Sequence, residues 1–110
     1  MNILYFYTSK DCEEASHINS CRQIKAALDK LGKDYLTKYV DEPYNLVELR
    51  KFIGTNNLST PIIVIISGLG VKLAHYIPRD FMSLRKQLGE SVLQDELETM
   101  LNQYEIASSS

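Results

Sequence analysis

The chain has 110 residues, of which 45% are hydrophobic and 24% charged, so it can form one small globular domain with a single core. Its formal net charge of −2 provides no basic surface, and we therefore expect no nucleic-acid partner. No apolar run is long enough to span a bilayer and no export signal opens the chain, so we expect a cytoplasmic protein with no membrane partner.

The first half of the chain predicts strand, helix, strand, helix. Residues 2–8 are rich in β-branched and aromatic residues and are apolar on both faces, which favours a central strand. Ser20 and Gln23 form a capping box that predicts a helix over 21–31. Residues 35–40 alternate as a second strand. Asn45, with an acidic residue three positions later, predicts that the second helix starts there and ends at Gly54.

The second half predicts a hairpin followed by helices. Residues 62–66 and 71–76 flank a turn that contains two glycines, which is typical of two antiparallel strands. Asp80 predicts the start of a helix that ends at Gly89, and Ser91 opens a last helix through Leu101. The order βαβαββα, with an extra C-terminal helix, predicts an α/β fold with a mixed four-stranded sheet flanked by helices. We expect one domain over 1–105 and a flexible tail over 106–110.

Two parts of the sequence suggest one thiol site. Cys12 and Cys21 follow the first predicted strand, and Pro61 stands immediately before the isoleucine-rich strand. A proline at the start of a buried strand fixes φ and removes a backbone donor. Two cysteines in a reducing compartment favour free, metal-bound or redox-active thiols over a permanent crosslink. Because two cysteines alone are too few ligands for a structural zinc site, we predict no metal.

The chain resembles the glutaredoxin branch of the thioredoxin superfamily over nearly its whole length. The resemblance rests on Tyr7-Thr8, on the run Cys21-Arg22-Gln23-Ile24-Lys25, on Val40-Asp41 and on Thr60-Pro61. It implies a thioredoxin-like fold and a thiol–disulfide oxidoreductase that acts on protein disulfides or uses glutathione as co-substrate, without a resident cofactor. It also implies substrate or glutathione contacts from Lys10, Thr60, Pro61 and Asp80.

The active-site motif departs from the family pattern, which is Cys-Pro-Tyr-Cys. If Cys21 is aligned with the second cysteine, Ile18 takes the place of the nucleophile. If Cys12 is aligned with the first cysteine, residues 13–20 form an insertion. Neither alignment gives a Cys-x-x-Cys pair, so either cysteine or both remain candidates for the catalytic role.

The surroundings of the two cysteines differ in charge. Cys21 follows the predicted cap at Ser20 and is flanked by Arg22 and Lys25, and a helix N-terminus with cations nearby favours a thiolate. Cys12 stands among acidic residues, and Asp11 with Glu14 is a second candidate capping box. On charge alone, Cys21 is predicted to be the more acidic thiol.

Whether the two sulfurs meet depends on residues 13–20. In one unbroken helix the cysteines would be about 13 Å apart along the axis, too far for a disulfide. In a loop or a separate turn they can approach each other. Ser16, His17 and Asn19 are weak helix formers, which favours the loop.

Two hypotheses of function follow. The first is a thiol–disulfide oxidoreductase or redox sensor that uses Cys21, Cys12 or both. The second is a redox-inactive protein-binding module of the same fold, which the missing Cys-x-x-Cys pair favours. The sequence predicts no oligomeric state.

Overall fold

Four strands form one mixed sheet in the computed structural model, which describes residues 2–14, 20–54, 61–77 and 90–106. They are β1 (Ile3–Thr8), β2 (Leu36–Tyr39), β3 (Ile62–Ile66) and β4 (Lys72–Tyr76). The spatial order is β2-β1-β3-β4. β1 runs parallel to β2 and antiparallel to β3, and β3 runs antiparallel to β4. The central position predicted for the first strand is therefore confirmed.

The described helices are α1 (Lys10–Glu14), α2 (Ser20–Leu31), α3 (Pro43–Ile53) and α4 (Glu90–Leu101). An α/β arrangement with a mixed four-stranded sheet is thus confirmed. The helix predicted from Asp80 to Gly89 lies outside the described residues. None of the helices described is long and apolar enough to cross a membrane.

The sheet buries both faces. On one face, Leu4 and Phe6 of β1 pack with Ile63 and Ile65 of β3 against apolar side chains of α2 and α4, namely Ile24, Leu28, Leu97 and Leu101. On the other face, Tyr7 and alternate residues of β3 pack against Leu49 of α3. This alternation follows from the period of two in a strand. It explains why the two central strands carry apolar residues on both faces.

The start of α3 differs from its prediction. The helix begins at Pro43, directly after Glu42 in extended conformation (φ −85°, ψ 122°), and not at a cap formed by Asn45. Proline suits the first turn of a helix because its ring already has a helical φ and its missing N–H would have no partner there. The Asn45 amide instead donates to the Tyr39 carbonyl oxygen at 3.1 Å. Gly54 ends the helix in the left-handed conformation, as expected (φ 80°).

The β3–β4 hairpin is confirmed. Its turn is closed by Ser67, whose N–H donates to the Val71 carbonyl oxygen at 2.9 Å and whose hydroxyl accepts from the Leu69 and Val71 N–H groups. At the C-terminal end, α4 begins one residue before the predicted cap at Ser91. Ile106, which we expected in the tail, is 7% exposed and forms a bridge with Asn2. The ordered chain thus continues at least to Ile106.

Candidate functional site

Cys12 and Cys21 form a disulfide, with their Cα atoms 5.9 Å apart. The pairing is feasible because α1 ends at Glu14 and α2 begins at Ser20, so the two cysteines do not share one helix. This confirms the expectation that an unbroken helix does not connect them. Both cysteines take part in this bond, so neither is a free thiol.

Two polar side chains hold the short helix that carries Cys12. The Ser9 hydroxyl accepts from the Cys12 N–H at 3.1 Å, which is the geometry of an N-cap. An Asp41 carboxylate oxygen accepts from the Lys10 N–H at 2.9 Å. The candidate capping box of Asp11 and Glu14 is therefore wrong, because the helix starts two residues earlier, at Lys10, and takes its cap from Ser9. Asp41 ties the end of β2 to this helix.

The two cysteines differ in burial. Cys21 is 1% exposed and belongs to the main core cluster, whereas Cys12 packs on the edge of that cluster and is half-buried. Cys21 is the second residue of the twelve-residue helix α2, close to the positive end of the helix dipole. Cys12 is thus the more accessible of the two cysteines.

Thr8, which the sequence indicated only as part of the family resemblance, belongs to the site. It is the last residue of β1 and is completely buried. Its Oγ1 lies 3.0 Å from the Cys21 Sγ, while its other acceptor, the Ser9 carbonyl oxygen, is at 3.5 Å. A threonine at the end of a strand is common, because threonine favours β structure. Apart from the resemblance, the one sequence signal for a role of Thr8 in the site was its position just before the segment that contains the cysteines.

Pro61 lies at the same end of the sheet as the disulfide. The antiparallel register of β1 and β3 pairs Tyr7 with Ile62. Pro61, the residue directly before Ile62, is buried. Since Thr8 follows Tyr7 and contacts the Cys21 sulfur, Pro61 and the disulfide lie toward the same end of the sheet, and their role in one thiol site stays a prediction.

The structure describes some of the other predicted site residues but not all of them. The Lys10 side chain is exposed, two residues before Cys12 on α1. Thr60 and Asp80, predicted to bind substrate or glutathione, lie outside the described residues, as does Ile18. Of the cations flanking Cys21, Arg22 is exposed and Lys25 is half-buried.

A second polar cluster lies on the opposite face of the sheet. The Tyr7 hydroxyl donates to a Glu48 carboxylate oxygen, and the Lys38 ammonium group pairs with the same oxygen at 2.7 Å and stands 4.1 Å from the centre of the Tyr5 ring. Burial and the contact with Glu48 raise the pKa of Tyr7. For Glu48, burial favours the protonated form, but the hydrogen bonds from Lys38 and Tyr7 prevail and lower its pKa.

His75 does not belong to either cluster. It is exposed on β4, where its Nδ1 lies 3.0 Å from the Lys72 ammonium group. Partial burial and the neighbouring lysine lower the pKa of His75.

Comparison with known proteins places the chain in no group: no family model, curated protein or solved structure matches it. The arguments for its function therefore rest on the disulfide and its surroundings. These consist of one half-buried cysteine on a short capped helix and one buried cysteine whose sulfur contacts a hydroxyl group.

Proposed function

We propose that this protein is a glutaredoxin-like thiol–disulfide oxidoreductase or redox sensor that cycles the Cys12–Cys21 disulfide. The observation that carries the proposal is the pairing of a half-exposed with a buried cysteine at the end of the central strand. The strand order and directions are compatible with a thioredoxin-like fold, which is part of the proposal. Buried Pro61, which directly precedes β3 at the sheet end where Tyr7 pairs with Ile62, fits this assignment.

The accessible sulfur defines the order of events. An external thiolate attacks the Cys12 Sγ and forms a mixed disulfide with it, while the electron pair of the broken S–S bond leaves on the Cys21 Sγ. A second external thiolate then attacks the sulfur of the first, which releases an external disulfide and the Cys12 thiolate. The protein gains two electrons and the external thiols lose two. In the reverse direction, reduced Cys12 attacks a disulfide and Cys21 resolves the mixed disulfide.

The substrate in this proposal is a protein disulfide or glutathione. The exposed Lys10 ammonium group, two residues from Cys12, suits a carboxylate of either. Thr60, through its backbone, and Asp80 are proposed as further contacts on the basis of the family resemblance. A cytoplasmic location also belongs to the proposal, since disulfides in that compartment are usually transient and redox-active.

Turnover of a small disulfide tests this function. The intact protein, Cys12→Ser and Cys21→Ser are assayed with glutathione or dithiothreitol as reductant, and the uncatalysed exchange is subtracted. We expect turnover by the intact protein and its loss in Cys12→Ser. Cys21→Ser should keep exchange at Cys12 with glutathione but lose the internal disulfide. If the intact protein is no faster than the free thiols, the proposal is wrong.

A redox-inactive binding module is the second candidate, and the burial of Cys21 favours it. A sulfur that is 1% exposed within the core suits a permanent crosslink that fixes α1 against α2. In that case the disulfide would persist in the folded protein at cytosolic concentrations of reduced glutathione. Free-thiol labelling after equilibration with glutathione distinguishes the two candidates.

A further inference from the structure

We propose that the Thr8 hydroxyl is a catalytic group, which stabilises the Cys21 sulfur as the leaving thiolate and thereby directs incoming thiols to Cys12. This inference rests on the proposed function and assigns a residue to it. The reaction is the first exchange step: the S–S bond breaks, a bond forms between the external sulfur and Cys12, and the electron pair goes to Cys21.

The contact geometry supports this role. Thr8 is completely buried and Cys21 nearly so, and their Oγ1 and Sγ atoms are 3.0 Å apart. A buried hydroxyl requires an acceptor, and the sulfur is nearer than the Ser9 carbonyl oxygen at 3.5 Å. The hydroxyl proton is therefore directed to the sulfur.

The contact strengthens as the reaction proceeds. A sulfur in a disulfide is a weak acceptor, whereas a thiolate is a charged one, and hydrogen bonds to charged groups are about twice as strong as neutral ones. An interaction that strengthens as charge develops lowers the barrier to the reaction. Because burial of Cys21 opposes a charge there, a donor at this position matters more than it would on the surface.

The surroundings of Cys12 offer no equivalent donor among the hydrogen bonds described. Its backbone N–H is used by Ser9, and its sulfur is at the half-buried edge of the core. Among the side chains that the structure describes, the charged ones flanking the two cysteines are Lys10 and Asp11 on α1 and Arg22 and Lys25 on α2. Three of these four are exposed and Lys25 is half-buried, so Thr8 is the buried polar group in contact with the leaving sulfur.

The test measures a single reduction step rather than turnover. The oxidised protein is mixed with excess dithiothreitol over a range of pH, and opening of the disulfide is followed by thiol labelling. The thiol pKa of Cys21 is then obtained from the pH dependence of thiolate ultraviolet absorbance in the Cys12→Ser background, where Cys21 is the one remaining cysteine. Thr8→Val removes the donor while keeping the shape, and Thr8→Ser keeps the donor. Thr37→Val makes the same chemical change in the edge strand β2, away from the sulfurs.

In Thr8→Val we expect the pKa of Cys21 to rise by about one unit and the opening rate to fall about threefold, because a more basic thiolate leaves more slowly. Thr8→Ser should restore both values toward those of the intact protein, and Thr37→Val should change neither. If Thr8→Val and Thr8→Ser give the same pKa and rate, the assignment of Thr8 is wrong. Circular dichroism of each variant verifies that it is folded.

The outcome separates this inference from the proposed function. Normal turnover with no effect of Thr8→Val contradicts the role of Thr8 alone. Absent turnover, combined with a Thr8-dependent opening rate, contradicts the enzymatic function but supports the role of Thr8 in opening the disulfide.

Discussion

Reduction of the disulfide should lower the free energy of unfolding by an amount that follows from the length of the loop that the bond closes. The bond joins residues nine positions apart and so closes a loop of about ten residues. The chain-entropy relation gives roughly 2.5–3 kcal/mol for such a loop at 25 °C. For a domain of this length, that corresponds to a fall in Tm of about 10 °C.

Urea unfolding of the oxidised protein, of the reduced protein and of Cys12→Ser measures this difference directly. Cys12→Ser is the matched control, because it removes the crosslink without reductant and leaves buried Cys21 in place. By linkage, the same free energy makes the disulfide about 100-fold more favourable in the folded than in the unfolded chain. Equal midpoints for the oxidised and reduced forms would refute the reasoning and show that α1 does not depend on the bond.

Three further predictions concern the side chains around the sheet ends. Glu48→Gln should lower the free energy of unfolding at pH 7 by about 1.5–3 kcal/mol, because it leaves the Lys38 ammonium group without its counter-ion. Since the pKa of folded Glu48 is lowered, its contribution to stability is present above the carboxyl's ordinary pKa and is lost in acid. The free energies of unfolding of the intact protein and Glu48→Gln, measured with urea, should therefore converge toward pH 3. A difference that stays constant with pH would contradict this. Ser9→Ala should cost about 1 kcal/mol through loss of the cap, with Ser9→Thr as control in thermal unfolding; equal Tm values for all three proteins would argue against the cap. Asp41→Asn should lower the pKa of the reduced Cys12 thiol, because it removes a negative charge from the start of its helix; alkylation rates against pH measure this, and an unchanged or raised pKa would count against it.

The fold could be predicted from the sequence where apolar residues form a continuous run or a glycine marks a helix end. The run Ile62–Ile66 contains five consecutive apolar β-branched residues, and all are buried in β3. Gly54 was identified correctly because the left-handed conformation strongly favours glycine. The start of α3 was misplaced because Asn45 resembles a cap, whereas Pro43 determines where the helix begins. The two candidate helix starts were two residues apart, and the helix begins at the proline.

The candidate site was accessible only in part. Both cysteines and Pro61 could be named from the sequence, because cysteine chemistry and proline geometry do not depend on the fold. Their pairing could not, since it depends on where α1 ends and α2 begins. Thr8 was missed because its role arises from a contact across 13 positions. The link between Tyr7 and Glu48 was missed for a similar reason, because an aromatic residue in a buried strand gives no indication of its hydroxyl partner.

Covalent trapping of the mixed disulfide tests the central claim most directly. Reduced Cys21→Ser is incubated with glutathione disulfide under native conditions, and the modified residue is identified by mass spectrometry of peptides. The account predicts a glutathione adduct on Cys12 in Cys21→Ser, with little or none on Cys21 in the reciprocal Cys12→Ser variant. An adduct on Cys12 that forms only after the protein is unfolded would contradict it, because the disulfide would then be a crosslink that external thiols cannot reach.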